Sequence, residues 1–204
     1  MTRRYQALLF TPEVRAAQAR ERSPAALGVP EAGEIEEPDR LGPEEIAFLR
    51  QRDSVYIASV GASGWPYVQH RGGPPGFLRV LGPDRIAFAD LRGNRQYISL
   101  GNFAGDDRVA LFAVDYPRRA RLKLLGRVRV GEPDEVAEVM AAVEDPRWRA
   151  RVERVLVIAV GAFDWNCPQG IVPRWTAEEI APAMERLESR IAELEAEVAR
   201  LKDG

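Results

Sequence analysis

Two stretches of the chain combine residue types that bind anions. The first is His70-Arg71-Gly72-Gly73-Pro74-Pro75-Gly76-Phe77-Leu78-Arg79-Val80, whose glycines and prolines let the backbone approach something flat. The second is Ala89-Asp90-Leu91-Arg92-Gly93-Asn94-Arg95-Gln96-Tyr97, which puts Gly93 to Gln96 where a strand ends and a helix would begin. Exposed backbone N–H groups, the positive end of a helix dipole and a guanidinium then converge, a set suited to a phosphate. The stretch is not a P-loop, since no Gly-Lys-Ser/Thr follows, and it is not a G-x-G-x-x-G dinucleotide turn. By spacing alone, the other reading is a set of turn glycines and surface arginines.

Charge is unevenly spread. The 204-residue chain has a formal charge of −2, yet Arg71 to Val130 carries twelve Arg or Lys against five Asp. Such a window is either a solvated sheet face or an anion site, because Arg forks match phosphate oxygens. It lacks regularly placed aromatics, so nucleic acid is not the expected partner. One histidine, His70, and one cysteine, Cys167, exclude an internal disulfide and argue against a Cys/His zinc site. Cys167 has no evident neighbouring base, so a catalytic thiolate is not expected there. A lone histidine in a turn is by default structural. Trp165 is by default a core aromatic, with stacking on a ligand as the alternative. Trp65 and Tyr97 are expected in the core. The N-terminus shows no signal-peptide pattern, and the longest apolar run, Val155 to Ala162, falls well short of the ~20 residues of a membrane span. A soluble, cytoplasmic protein is expected.

The elements that must position these residues are mostly strands. Ser54–Val60 and Trp65–Gln69 flank a Gly61–Gly64 turn as one hairpin, and Phe77–Leu81 and Arg85–Ala89 flank Gly82-Pro83-Asp84 as a second. Val109–Val114, Arg121–Val130 and Val155–Phe163 supply three more. Helices are expected from Thr11-Pro12-Glu13 to about Arg22, from Gly42-Pro43-Glu44-Glu45 onward, over Gly93–Phe103 and over Pro133–Arg151. Six or seven antiparallel strands with few helices predict a mainly β, split-barrel architecture with flanking helices. Residues 1–40 form an N-terminal helix and linker, 41–175 the barrel, and 176–204 a separate helix.

The motifs H-R-G-G-P-P-G-F (His70 to Phe77), A-D-x-R-G-N-R-Q (Ala89 to Gln96) and W-N-C-P-Q (Trp165 to Gln169) occur in that order. Together they resemble the pyridoxamine 5′-phosphate oxidase-like superfamily of FMN-binding split barrels, in its branch of flavin-nucleotide-binding proteins, over about residues 40–175. The resemblance implies FMN as cofactor and a site at a homodimer interface. It places Phe77, Leu78 and Arg79 beside the isoalloxazine, and Asp90, Gly93, Asn94, Arg95 and Gln96 around the phosphate. Arg121 and Lys123 would close over phosphate and ring, with Trp165, Asn166 and Gln169 near the late motif. It further implies an oxidoreductase acting on a small organic substrate, with Arg79 and Lys123 stabilising negative charge on the reduced ring. Asn94 and Gln96 replace a hydroxyl and a cation of the oxidase triplet, which throws phosphate capture onto Arg95 and backbone N–H groups. The arginine and histidine that grip pyridoxamine phosphate in the oxidase are missing, so that substrate is not assigned. A storage or sensing module, or a deazaflavin- or haem-binding barrel, stays open.

Near the C-terminus, Met184, Leu187, Ile191, Leu194, Val198 and Leu201 alternate by three and four. Met, Ile and Val at a with Leu at every d is the pattern of a parallel pair, and Arg190 faces Glu195, and Glu197 faces Lys202, across it. The other reading is an amphipathic helix packed on its own domain.

Overall fold

A computed structural model describes residues 2–26, 28–30, 33–142 and 151–202. Its larger unit is built on seven antiparallel strands: β1 Ser54–Val60, β2 Pro66–Gly72, β3 Arg79–Gly82, β4 Arg85–Leu91, β5 Arg108–Asp115, β6 Ala120–Val130 and β7 Val152–Asn166. They hydrogen-bond in the order β2-β1-β5-β6-β7-β4-β3. The chain is mainly β and has the split-barrel fold. Six α-helices are found among the described residues: α1 Arg3–Leu9, α2 Pro12–Arg20, α3 Pro43–Arg50, α4 Ile98–Gly105, α5 Pro133–Ala142 and α6 Ala177–Lys202.

Period-two alternation builds the interior. Val55 and Ile57 of β1, Val109, Leu111 and Ala113 of β5, and Leu122 and Leu124 of β6 all point inward, where Phe48 and Leu49 of α3 meet them. β4 and β7 depart from alternation because both their faces are covered. Ile86, Phe88, Leu156 and Ile158 enter the main core, while Ala87, Val155 and Val157 pack under Val139 of α5. That explains the unbroken apolar run in β7.

β7 spans 15 residues and pairs with both β6 and β4. Its ladder with β6 shifts register between Leu125 and Gly126, where a Cβ on Gly126 would lie 2.5 Å from the Ala159 carbonyl oxygen. Only glycine fits that close approach.

Several expectations need correction. Helix α1 was not foreseen: it is short and has no acidic residue in its first turn, and its only signal is Thr2, whose hydroxyl accepts from the Tyr5 N–H. The helix expected from Gly93 begins only at Ile98, because Arg95 (φ 60°) and Tyr97 (φ 53°) are left-handed and break the helical path. Trp65 is 79 % exposed in the β1–β2 turn, and Tyr97 caps α4 at the surface, so neither belongs to the core. The expected helix after Pro133 is described to Ala142; residues 143–150 lie outside the described set.

A second compact unit comprises Tyr116–Arg119 and Gln169–Gly204. Within it the Arg174 guanidinium lies over the Tyr116 ring at 4.9 Å. A capping box opens α6: the Glu179 N–H donates to Thr176 Oγ1, and the Thr176 N–H to the Glu179 carboxylate.

Candidate anion site at the start of α4

The strand end at Leu91 and the start of α4 enclose a cleft of about 50 Å³, walled by β2, the 93–97 loop and the first residues of β7. Asp90 anchors it. Its carboxylate is nearly buried and accepts from Arg71 Nη1 at 2.6 Å and from Arg154 Nη1 at 2.7 Å, tying β2, β4 and β7 together. Without Asp90 the two guanidiniums would be half-buried like charges; with it they form one clamp.

The loop above the clamp is shaped by short-range bonds. The Gln96 N–H donates to Asn94 Oδ1 at 3.2 Å, a local turn that brings Arg95 and then Tyr97 into left-handed backbone. Arg95 Nε donates to the Tyr97 hydroxyl, which in turn donates to Glu153, each at 3.3 Å. The Tyr97 bond, reinforced by Glu153, raises the already high pKa of Arg95, so its charge is permanent. The Tyr97 ring also carries the Arg154 guanidinium at 5.2 Å.

Helix α4 then starts without a side-chain cap, since Tyr97 cannot bond back to the first turn. The residues of that turn, Ile98, Ser99 and Leu100, line the cleft. Their backbone donors are the orphans that every helix start leaves, and the dipole adds positive potential. The Ser99 hydroxyl is already used, donating to Gln69 Oε1 at 2.9 Å. Arginines 71, 95 and 154 outnumber Asp90 and Glu153 around the cleft. Such a donor set has the chemistry to hold an anion.

The structure thus brings Asp90, Gly93, Asn94, Arg95 and Gln96 together, and not the others. Leu78 is fully buried, and Phe77 stands edge-on to Phe88 in the core, so only their backbone could meet a ligand. Arg79 on β3 lies 3.8 Å from Glu138 of α5. Trp165 packs edge-on against Phe48 at 4.8 Å and donates to Glu45 at 2.7 Å, which makes it a core residue. Gln169 is exposed in the second unit.

Arg121, Lys123 and Asn166 cluster elsewhere, at the far end of β7, where Arg121 is paired in register with Asn166 and Lys123 with Asp164. Asn166 is twelve positions from Arg154, up to about 40 Å along an extended strand. Arg121 Nε and Asn166 Oδ1 are both buried there without a partner. Lys123 Nζ sits 3.8 Å from the buried Asp164.

Sequence reasoning missed the other walls of the cleft. Tyr67, Gln69 and Arg71 share one side of β2 by simple alternation, a signal available in the sequence. Glu153 and Arg154 come from across the chain and leave no local signature.

Residues 41–163 match the family model described as pyridoxamine 5′-phosphate oxidase, over more than half of the chain. The chain belongs to the pyridoxamine 5′-phosphate oxidase family. The matched segment covers every cleft residue, from Tyr67 to Arg154. Among solved structures, one similar to this family member is a Lactobacillus delbrueckii protein provisionally assigned as a pyridoxamine 5′-phosphate oxidase, at 25 % identity, covering 61 % of this chain and 93 % of that one, with a TM-score of 0.46. Another is an FMN-binding protein from Syntrophomonas wolfei, at 11 % identity, 61 % and 87 % coverage, and a TM-score of 0.45. An F420 reductase aligns at 19 % identity, 58 % and 94 % coverage, and a TM-score of 0.42. No curated protein matches the chain. No helix among the described residues is long and apolar enough to cross a membrane.

Proposed function

We propose that this family member binds FMN with its phosphate in the α4 cleft, and that it is an oxidoreductase for a small organic substrate. The observation that carries the reading is the uncapped start of α4 facing Arg95 across a cleft already braced by the Asp90 clamp. When bound, FMN supplies the hydride and electron chemistry. The protein's own part is to hold and orient it. Arg95 and the first-turn N–H groups take the phosphate; Asp90, Arg71 and Arg154 keep the walls fixed.

The cleft is far smaller than the roughly 300–1,000 Å³ of a complete small-molecule site. It suits a phosphate and not a three-ring system, so the rest of the cofactor must lie on another surface. The candidate is the outer side of β1, β5 and β6, where the register aligns Tyr56, Phe112 and Lys123 in one row. Tyr56, Val60 and Val68 leave apolar surface exposed on that side of the sheet. We assign this side to contact with a second copy, whose Arg121 and Lys123 complete the site. The exposed apolar surface of Tyr56, Val60 and Val68 supports this.

The test is the absorption spectrum of the purified protein and the mass of any released cofactor. We expect a flavin spectrum and a released mass of FMN. A colourless protein that takes up no FMN, or one that releases a deazaflavin or haem, overturns the cofactor assignment. Turnover is tested separately: a bound flavin whose spectrum no reductant or substrate changes would mark a storage or sensing module.

A further inference from the structure

Helix α6 carries a heptad seam whose apolar side chains are exposed among the described residues. It runs unbroken from Ala177 to Lys202, 26 residues including Pro182. Ile180, Met184, Leu187, Ile191, Leu194, Val198 and Leu201 are each at least 43 % exposed. With Met184 at a, Ile180 takes the preceding d position, so the seam extends one step upstream of the pattern visible in the sequence. Pro182 then falls at f, on the side opposite the seam, so its ring does not enter the apolar stripe. Apart from Ile180, every d is Leu, and two of the three a residues from Met184 on are β-branched. That combination selects two parallel strands over three or four.

Charge fixes the partner's identity and direction. In a parallel, in-register pair, Arg190 at g meets Glu195 at e of the other helix, and Glu197 at g meets Lys202 at e, while Ala183 leaves Glu188 unopposed. Both pairs are attractive and each occurs twice by symmetry. Turning one helix round about the same centre sets Glu188 against Glu195 while Arg190 meets Glu197, so only the parallel pair makes both charge contacts attractive. We propose that α6 forms a parallel two-stranded coiled coil with α6 of a second copy of this chain. The assignment is independent of the flavin reading, because no residue of α6 belongs to the cleft.

The test is disulfide trapping in the full-length protein, with Cys167 replaced by Ser. Leu201→Cys sits at d near the helix end, where only a parallel pair brings the two copies of one position within the ~4.4–6.8 Å Cα separation of a disulfide. Ala196→Cys, at f on the same helix, points away from the seam. Mild oxidation is expected to link Leu201→Cys into covalent dimers and leave Ala196→Cys monomeric on a denaturing gel. Adding Arg190→Glu should lower the yield for Leu201→Cys several-fold, and Arg190→Glu with Glu195→Arg should restore it. No dimer from Leu201→Cys, or equal dimer from both cysteine variants, overturns the proposal. A helix packed on its own domain gives the first of those results, and random collision gives the second.

Discussion

The two ends of β7 carry similar residues held in different ways. At its start, Arg154 and Arg71 each bond Asp90 through Nη1, although Arg71 Nε is buried without a partner, and the surrounding groups bond to one another through Tyr97 and Glu153. At its finish, Arg121 Nε and Asn166 Oδ1 are buried with nothing to bond. Arginine content alone would have rated the two ends alike. What separates them is how the cations are held: Asp90 bonds two guanidiniums at 2.6 and 2.7 Å, whereas Lys123 stands 3.8 Å from Asp164 at the other end. The Asp90 end is a braced wall beside one exposed guanidinium, that of Arg95, and the start of α4.

That contrast can be broken most severely at Asp90. Asp90→Ala leaves two half-buried guanidiniums facing each other, and removing one partner of such a cluster costs ~3–5 kcal/mol. Chemical denaturation should therefore shift strongly, with FMN uptake lost as well. A loss below about 1 kcal/mol would mean that solvent already screens the clamp.

The far end is tested by complementation. Arg95→Ala and Arg121→Ala are each expected to weaken FMN about ten- to hundredfold, the worth of one charge-assisted bond. If the cleft of one copy and Arg121 of the other form each site, a mixed dimer of the two variants regains one intact site. Titration of the mixed protein should then show a tight-binding fraction absent from either variant alone. Its absence would place both residues in a single-chain site or neither in any.

A smaller effect is expected away from both ends, at Glu135. It accepts from Arg129 at 2.6 Å and Arg85 at 2.9 Å, holding α5 over the sheet. The Arg129 bond, with the Glu132 N–H, lowers its pKa in spite of the desolvation that opposes it. A folded-state pKa below the unfolded ~4.3 contributes stability above that value, and the contribution fades as pH falls through the folded pKa. Glu135→Gln should cost about 1 kcal/mol at pH 7. The gap to wild type should close below pH ~4, which acid titration of stability would show.

The sequence made the strands legible because alternation is local: each strand expected from β-branched and aromatic runs exists, with ends moved by a few residues. The phosphate loop was legible in composition and not in shape. Gly93 and Asn94 announced a turn, but not the left-handed Arg95 and Tyr97 that delay α4 to Ile98, nor the bond from the Tyr97 hydroxyl to Glu153, 56 positions away. For the same reason Phe77 and Leu78 read as ligand-facing: a motif shows which residues neighbour a site, not which way their side chains turn. The Asp90 clamp joins three strands and has no linear signature beyond an acid ending an apolar strand.

The central claim is that the cleft at α4 holds a flavin phosphate, and it is tested most directly by comparing FMN with riboflavin. Flavin fluorescence titrations of wild type and Arg95→Ala give four dissociation constants. Wild type should prefer FMN by at least tenfold, and Arg95→Ala should lose most of that preference while its riboflavin affinity stays unchanged. Arg92→Ala, whose guanidinium is exposed and only 4.0 Å from Glu153, should leave all values near wild type. Equal affinity of wild type for both flavins, or equal loss of both in Arg95→Ala, would contradict the phosphate site.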